Sequence, residues 1–193
     1  MHTPRLPLSA SETYTALHTT ALSFLAAQSY TPAPPHMDLP LLRALCSPSF
    51  THSFGHNFAV RQVPALQGVF SLDGFVAHLQ GMLARLERWD VEVRAVVVDE
   101  VQGTVVCRVG YWMVAKSGEG PGKGRGSRDV SVDSGEEERG VENDVVWVLE
   151  MAAGGAQGEM KVKRSVEFVD AVAAGRLREV MMEVGALGAG KAE

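Results

Sequence analysis

Cysteine is nearly absent from this chain of 193 residues. Cys46 and Cys107 stand in unlike contexts, with no CxxC pair and no Cys/His ligand spacing around them. That scarcity argues against a disulfide-stapled scaffold and against structural zinc, and it suits a reducing compartment. Long apolar runs are missing too: no stretch approaches the roughly 18 uninterrupted apolar residues of a membrane-crossing helix. The start, Met1-His-Thr-Pro-Arg-Leu-Pro-Leu8, has neither the charged region nor the sustained apolar core of a secretory signal. Basic charge is also short. A net charge of −5 and a pI near 5.7 leave no clustered Lys and Arg for nucleic acid or an anionic membrane. A soluble, cytoplasmic protein with neither of those partners is the expectation.

What is present fits one globular domain over residues 1–193, because 46% hydrophobic and 21% charged residues are enough to bury a core. From Ser9 to Tyr30, Tyr14, Leu17, Ala21, Leu22 and Leu25 recur at helical spacing. Thr31-Pro-Ala-Pro-Pro35 breaks that helix, since proline lacks the amide hydrogen, and a short helix follows from Asp38 to Leu45. Ser47 to Gln67, with its histidines and aromatics, reads as extended or irregular chain beside a cavity. The clearest helix covers Ser71 to Trp89, where Phe75, Leu79, Met82, Leu83 and Leu86 form one stripe behind a Ser71 cap. Val91 to Val98 and Thr104 to Ala115 read as a β-hairpin. Asp144 to Met151 and Met160 to Phe168 repeat the strand pattern. A closing helix follows Asp170, interrupted by Gly175, with a flexible tail over 185–193.

Residues 117–141 carry seven glycines and ten charged residues, with no large hydrophobe beyond three valines. Such a segment cannot bury enough apolar surface to offset its ordering entropy, so a disordered hairpin insertion is expected there. It contains no GxxxxGK[ST] match, which leaves a phosphate-cradling role without support.

The element order is helices, then a curved antiparallel sheet covered by a middle helix. With it come the phrases Phe75-Val-Ala-His-Leu79, Asn143-Asp-Val-Val-Trp147 and Glu167-Phe-Val-Asp170. In these the chain resembles the SnoaL-like proteins of the nuclear-transport-factor-2-like superfamily, over residues 10 to 184 without the insertion. The resemblance implies an α+β fold: a cone-shaped antiparallel sheet packed against amino-terminal and middle helices, here with an extra carboxy-terminal helix. It implies a homodimer, and acid/base chemistry on a fungal natural-product intermediate without metal or cofactor. The Gly-rich insertion and the proline-marked amino-terminal segment depart from the family pattern.

The resemblance suggests His52, His56, Glu167 and Asp170 as the catalytic group. A histidine meeting a carboxylate is a common general-base arrangement; each histidine has the alternative of a hydrogen-bonded structural role. Glu167 has the opposite strand parity to Val162, Val166 and Phe168, so it points outward beside Lys163 or into the pocket according to which face lines the cone. Asp170 stands where it caps the last helix as readily as it does chemistry. Arg61 and Arg108 are candidates for binding an oxyanion, or for salt bridges. His78 sits near the stripe of the covering helix, within reach of the cavity or at the core edge. Tyr111, Trp112, Trp147 and Phe168 wall an aromatic pocket, or fill the core or a dimer face. The function that follows is a cofactor-independent isomerase, cyclase or dehydratase for a polyketide- or terpenoid-type intermediate. Its rival is a non-catalytic binding or dimerisation module.

Overall fold

The computed structural model describes residues 5–116, 140–154 and 159–189, the last with side chains through Met182. The expected insertion therefore lies outside the described residues, apart from Gly140 and Val141, which already belong to a strand. Helix α1 (Glu12–Ala26) starts where Ser11 Oγ accepts the Tyr14 amide at 2.8 Å, and it buries Leu17, Ala21, Phe24 and Leu25. Asp38 caps α2 (Leu39–Leu45) in the same way through Leu41 N. There follow β1 (Cys46–Phe54), the short α3 (Asn57–Arg61), β2 (Phe70–Ser71) and α4 (Leu72–Leu83). The long strands β3 (Leu86–Asp99), β4 (Thr104–Ala115), β5 (Gly140–Ala153) and β6 (Met160–Phe168) precede α5 (Ala171–Ala189).

The six strands form one open sheet in the order β2-β1-β6-β5-β4-β3. Four of its five pairings are antiparallel, as expected; β1 and β6 run parallel. Of the two alternatives for Ser47 to Phe54, extended or irregular chain, the structure has the first, a strand held because its amide ladder meets β6. On the concave side, α1 and α4 cover Val105, Cys107, Val109, Val145, Trp147 and Leu149, all fully buried. The convex side is polar in its centre, where Arg94 pairs with Glu92 and Glu142 and Arg108 with Asp144. Val97 and Val146 are exposed on that side.

Two boundaries differ from the sequence reading. The helix expected to run to Trp89 stops at Leu83, and Leu86–Trp89 is already β3, because β4 extends far enough for Leu86 to pair with Ala115 and Trp89 with Met113. The backbone of α5 passes through Gly175 without interruption to Ala189, beyond the expected frayed end at 185. Among the described residues, no helix is long and apolar enough to cross a membrane.

Candidate active site

A cavity of about 300 Å³ opens between α4, α5 and the concave face of the sheet. Its wall is mostly apolar: Leu79 and Met82 from α4, Met113 from β4, Leu177 and Met181 from α5, with Val63 and Leu66 from the segment after α3. The polar groups set into it are few. They are Glu167, His78, Tyr111, Asn143, Gln28 and the Trp89 indole, with the exposed Arg85 and Arg178 at its edge.

Glu167 reaches the cavity because of a local irregularity in β6. The pairing register shifts against β5, where the adjacent Glu150 and Met151 face Arg164 and Val162, leaving Lys163 as the extra residue of a β-bulge. Strict alternation would put Val162 and Glu167 on opposite faces. The bulge places Val162, Ser165 and Glu167 all inward, with Lys163 and Arg164 outward. Only 8% of Glu167 remains exposed, and that burial pushes its carboxyl up to about 8.

Behind Glu167 lies His52 of β1, 1% exposed and packed against Phe75 and Phe54 at ring distances of 4.3 and 4.7 Å. Its Nδ1 is 2.9 Å from Ser165 Oγ. Its Nε2 has no hydrogen-bond partner among the described residues and lies 3.9 Å from Glu167 Oε2. Burial first, then the neighbouring His78, pull the imidazole down to about 3. Around pH 7 the pair is therefore a neutral carboxylic acid beside a neutral imidazole. His78, in the cavity wall against Phe54 at 5.3 Å, is also lowered by burial.

Tyr111 accepts a hydrogen bond of 2.8 Å from Trp147 Nε1, so its own hydroxyl proton is left for the cavity side. Burial first, and then the charge of Glu167, raise its phenol well above the usual value. Asn143 is 3% exposed, and its Oδ1 accepts the Asp170 amide at 3.0 Å, which aims its amide nitrogen elsewhere.

The structure thus brings together His52, Glu167, His78, Tyr111 and Trp147, the last buried behind Tyr111 and outside the cavity lining. The other candidates lie apart from the cavity. His56 is exposed in the left-handed region (φ 56°) before α3, with its ring edge-on to Phe168 at 5.2 Å. Phe168 covers Gly55, not the cavity. Asp170 caps α5, its Oδ1 accepting from Val172 N at 2.8 Å and Ala173 N at 3.2 Å. Arg61 is exposed on α3, and its carbonyl accepts from Gln67 Nε2. Arg108 is on the convex side, forked onto Asp144 with Nε–oxygen distances of 3.1 and 3.0 Å. Trp112 shares a shallow convex depression with Arg94 and Glu142.

Sequence reasoning did not single out Ser165, Asn143, Gln28 or Trp89. Asn143 carried a usable signal: it alternates with Val145 and Trp147, two residues that any inward strand face would claim. Gln28 carried a weaker one, four residues after Phe24 at the end of α1.

No protein-family model matches the chain, and no curated protein sequence does. Solved structures match it over most of its length. The BvnE pinacolase of Penicillium brevicompactum superposes with a TM-score of 0.61 at 12% identity, covering 91% of this chain and 97% of that one. PrhC of Penicillium brasilianum gives 0.62 at 13%, covering 93% and 95%. A putative SnoaL-like polyketide cyclase from Jannaschia sp. gives 0.60 at 14%, covering 89% and 96%. At such identities the likeness is one of fold. The chain has the cone-shaped α+β fold of SnoaL-like and nuclear-transport-factor-2-like proteins.

Proposed function

We propose that the protein is a cofactor-independent acid/base enzyme, an isomerase, cyclase or dehydratase, acting on an apolar polyketide- or terpenoid-type intermediate held in the cavity. The observation that carries this reading is Glu167: a carboxyl pushed to about 8, still protonated near neutrality, in the wall of a mostly apolar cavity. A neutral carboxylic acid in a dry site both donates a hydrogen bond to a carbonyl oxygen and hands over its proton as charge develops.

The rest of the polar lining fits the same chemistry. The Tyr111 hydroxyl is a second neutral donor, polarised by the Trp147 N–H behind it. His78 offers a neutral imidazole to take a proton from carbon beside that carbonyl. In an isomerisation, the imidazole nitrogen of His78 accepts the carbon-bound proton while Glu167 protonates the oxygen, giving an enol. His78 then returns its proton to a different carbon, and Glu167 recovers the enol proton. In a dehydration, His78 takes the carbon-bound proton as the double bond forms, the Glu167 proton leaves with the departing hydroxyl as water, and the proton on His78 passes back to Glu167 through solvent. His52 does not line the cavity and acts as a positioning residue: with its Nδ1 proton on Ser165 Oγ, the Nε2 lone pair faces the Glu167 carboxyl.

The test begins with metabolite profiling of a strain lacking the gene, which names the accumulated intermediate, and continues with purified protein on that compound. Glu167→Gln and His78→Phe should each lower turnover by about 10²- to 10⁴-fold, the usual contribution of one general acid or base, with circular dichroism unchanged. Variants that turn over at the wild-type rate refute the assignment. A wild type no faster than buffer leaves the carrier reading, in which the same cavity binds without converting.

A further inference from the structure

Where the cavity meets solvent it is lined by two arginines for which acid/base chemistry at Glu167 has no use, Arg85 and Arg178, both exposed. Most arginines of this chain are occupied: Arg43, Arg88, Arg94, Arg108, Arg164 and Arg176 each hold a carboxylate. Arg85 and Arg178 hold none among the described residues. Arg5 and Arg61 share that state, but neither lines the cavity. On α5 the residues three and four positions from Arg178 are Ala174, Gly175, Met181 and Met182. A helix-surface ion pair would have needed an acid at one of those places.

A third cation stands beside Arg85. Lys116 Nζ donates to the Ala84 carbonyl at 3.0 Å, and Lys116 N to the Arg85 carbonyl at 2.9 Å. A cation just past α4 also suits the carbonyl end of that helix; Arg178, within α5, has no such reason. The interior offers no compensating charge near neutrality, since Glu167 is protonated and burial lowers His78. A chain of net charge −5 thus sets a cationic edge on an uncharged, mostly apolar interior. A ligand carboxylate taken inside would lose its hydration without meeting a cation. At the edge it keeps water and meets planar donor forks. A dianion such as a phosphate monoester is served less well there: Asp170 already occupies the first amides of α5, and α4 lines the cavity with its carboxy-terminal half.

We infer that Arg85 and Arg178 form an anion subsite at the cavity mouth, so that the preferred substrate is an amphipathic carboxylic acid. Its apolar ring system lies inside, bearing the carbonyl or hydroxyl that meets Glu167, and its carboxylate stays at the exposed end. Each guanidinium acts through the field at the mouth, which salt weakens, so the two have no need to grip one pair of oxygens. This rests on the cavity being the substrate site, and it is tested by a ratio of binding constants, so its failure is separable from failure of the acid role of Glu167.

The probes are 1-tetralone-6-carboxylic acid and its methyl ester, alike in ring system and different in charge at pH 7. By calorimetry in about 20 mM salt the wild type should bind the acid about fivefold or more tightly than the ester, the scale of two solvent-exposed ion pairs. In about 0.5 M salt the ratio should fall below about twofold. Arg85→Gln and Arg178→Gln should each lower the low-salt ratio, and the double variant should bring it to about one. Arg61→Gln removes the same charge from α3, outside the cavity, and should leave the ratio as in the wild type; Glu167→Gln should keep the preference too. Equal affinity for acid and ester overturns the subsite and leaves the acid role of Glu167 standing. Binding of neither overturns the subsite together with the cavity as a site for such rings. A ratio indifferent to either single substitution, or surviving both, overturns it as well. So does a ratio that Arg61→Gln lowers as far as Arg85→Gln, which would show only the overall charge of the protein at work.

Discussion

Replacing Glu167 by glutamine removes one ionisation while keeping size and shape, and the resulting change in stability depends on pH in a calculable way. The carboxyl moves from an ordinary 4.5 to about 8 in the folded chain. Between those values the native state holds a proton that the unfolded chain has lost, so stability falls as pH rises, by about 1.4 kcal/mol per pH unit and about 5 kcal/mol across the window. His52 has the opposite slope: lowered from 6.5 to about 3, it adds stability as pH rises through that interval. Between 4.5 and 6.5 these two slopes offset each other, while His78 and His18, also lowered by burial, add further stability as pH rises; above 6.5 the Glu167 loss remains. From pH 6.5 to 9 that loss is about 2 kcal/mol, which for a chain of this size lowers the melting temperature by about 4–8 °C. Glu167→Gln should escape it. The assay is thermal unfolding of wild type and variant at both pH values, taking the difference so that all other titrating groups drop out. A difference that stays constant within about 0.5 kcal/mol shows Glu167 ionising as in water, and it removes both the neutral acid and the mechanism built on it.

Gly55→Ala should destabilise by about 1–3 kcal/mol in urea titrations, because the new Cβ would sit 2.1 Å from Phe168 Cδ1 while the Gly55 amide is bonded to the Glu167 carbonyl at 2.7 Å; an unchanged midpoint contradicts this packing. Asp170→Asn should leave both stability and turnover near wild type, whereas Asp170→Ala should cost about 1 kcal/mol through the lost cap; turnover that collapses in the stable asparagine variant would make Asp170 more than a cap. His56→Gly should keep full turnover and relieve its left-handed backbone, so lost activity there contradicts the placement of His56 outside the cavity. We also propose a homodimer through the convex face, where arginines and carboxylates alternate beside exposed Val97 and Val146 and make the surface complementary to itself; sedimentation as a monomer at micromolar concentration refutes it.

Local pattern carried far in this chain. The stripe through Leu17, Ala21 and Leu25 and the valine-rich hairpin of β3 and β4 are decided by neighbours in sequence, and helix and strand stand where their periodicities put them. β1 stays open between extended and irregular chain in the sequence, because Pro48 interrupts its pattern and its partner is distant β6. The end of α4 was misjudged because Leu-Glu-Arg-Trp suits a helix in isolation; the length of β4 decides for a strand. Glu167 was legible as a candidate but not as a cavity residue. Its facing depends on the bulge at Lys163, which an alternation count does not reveal. Of the candidates, His52 meets Glu167, whereas Arg108 meets Asp144 on the convex side of the sheet. Residue type alone could not separate these cases, since both are charged or titratable groups within strands.

The parallel pairing of β1 with β6 also has a consequence in time. His52 and Ser165 are 113 positions apart, so at about 5–20 residues per second a ribosome needs on the order of 10 s to supply β6 after finishing β1. Throughout that interval β1 has only the two pairings to β2 and presents an open strand edge. The β3–β4 hairpin can close early from local contacts, but the Glu167 cavity wall is among the last parts of the molecule to exist. A nascent chain halted before β6 would therefore hold His78 and Tyr111 on finished elements and lack Glu167 and the wall that carries it.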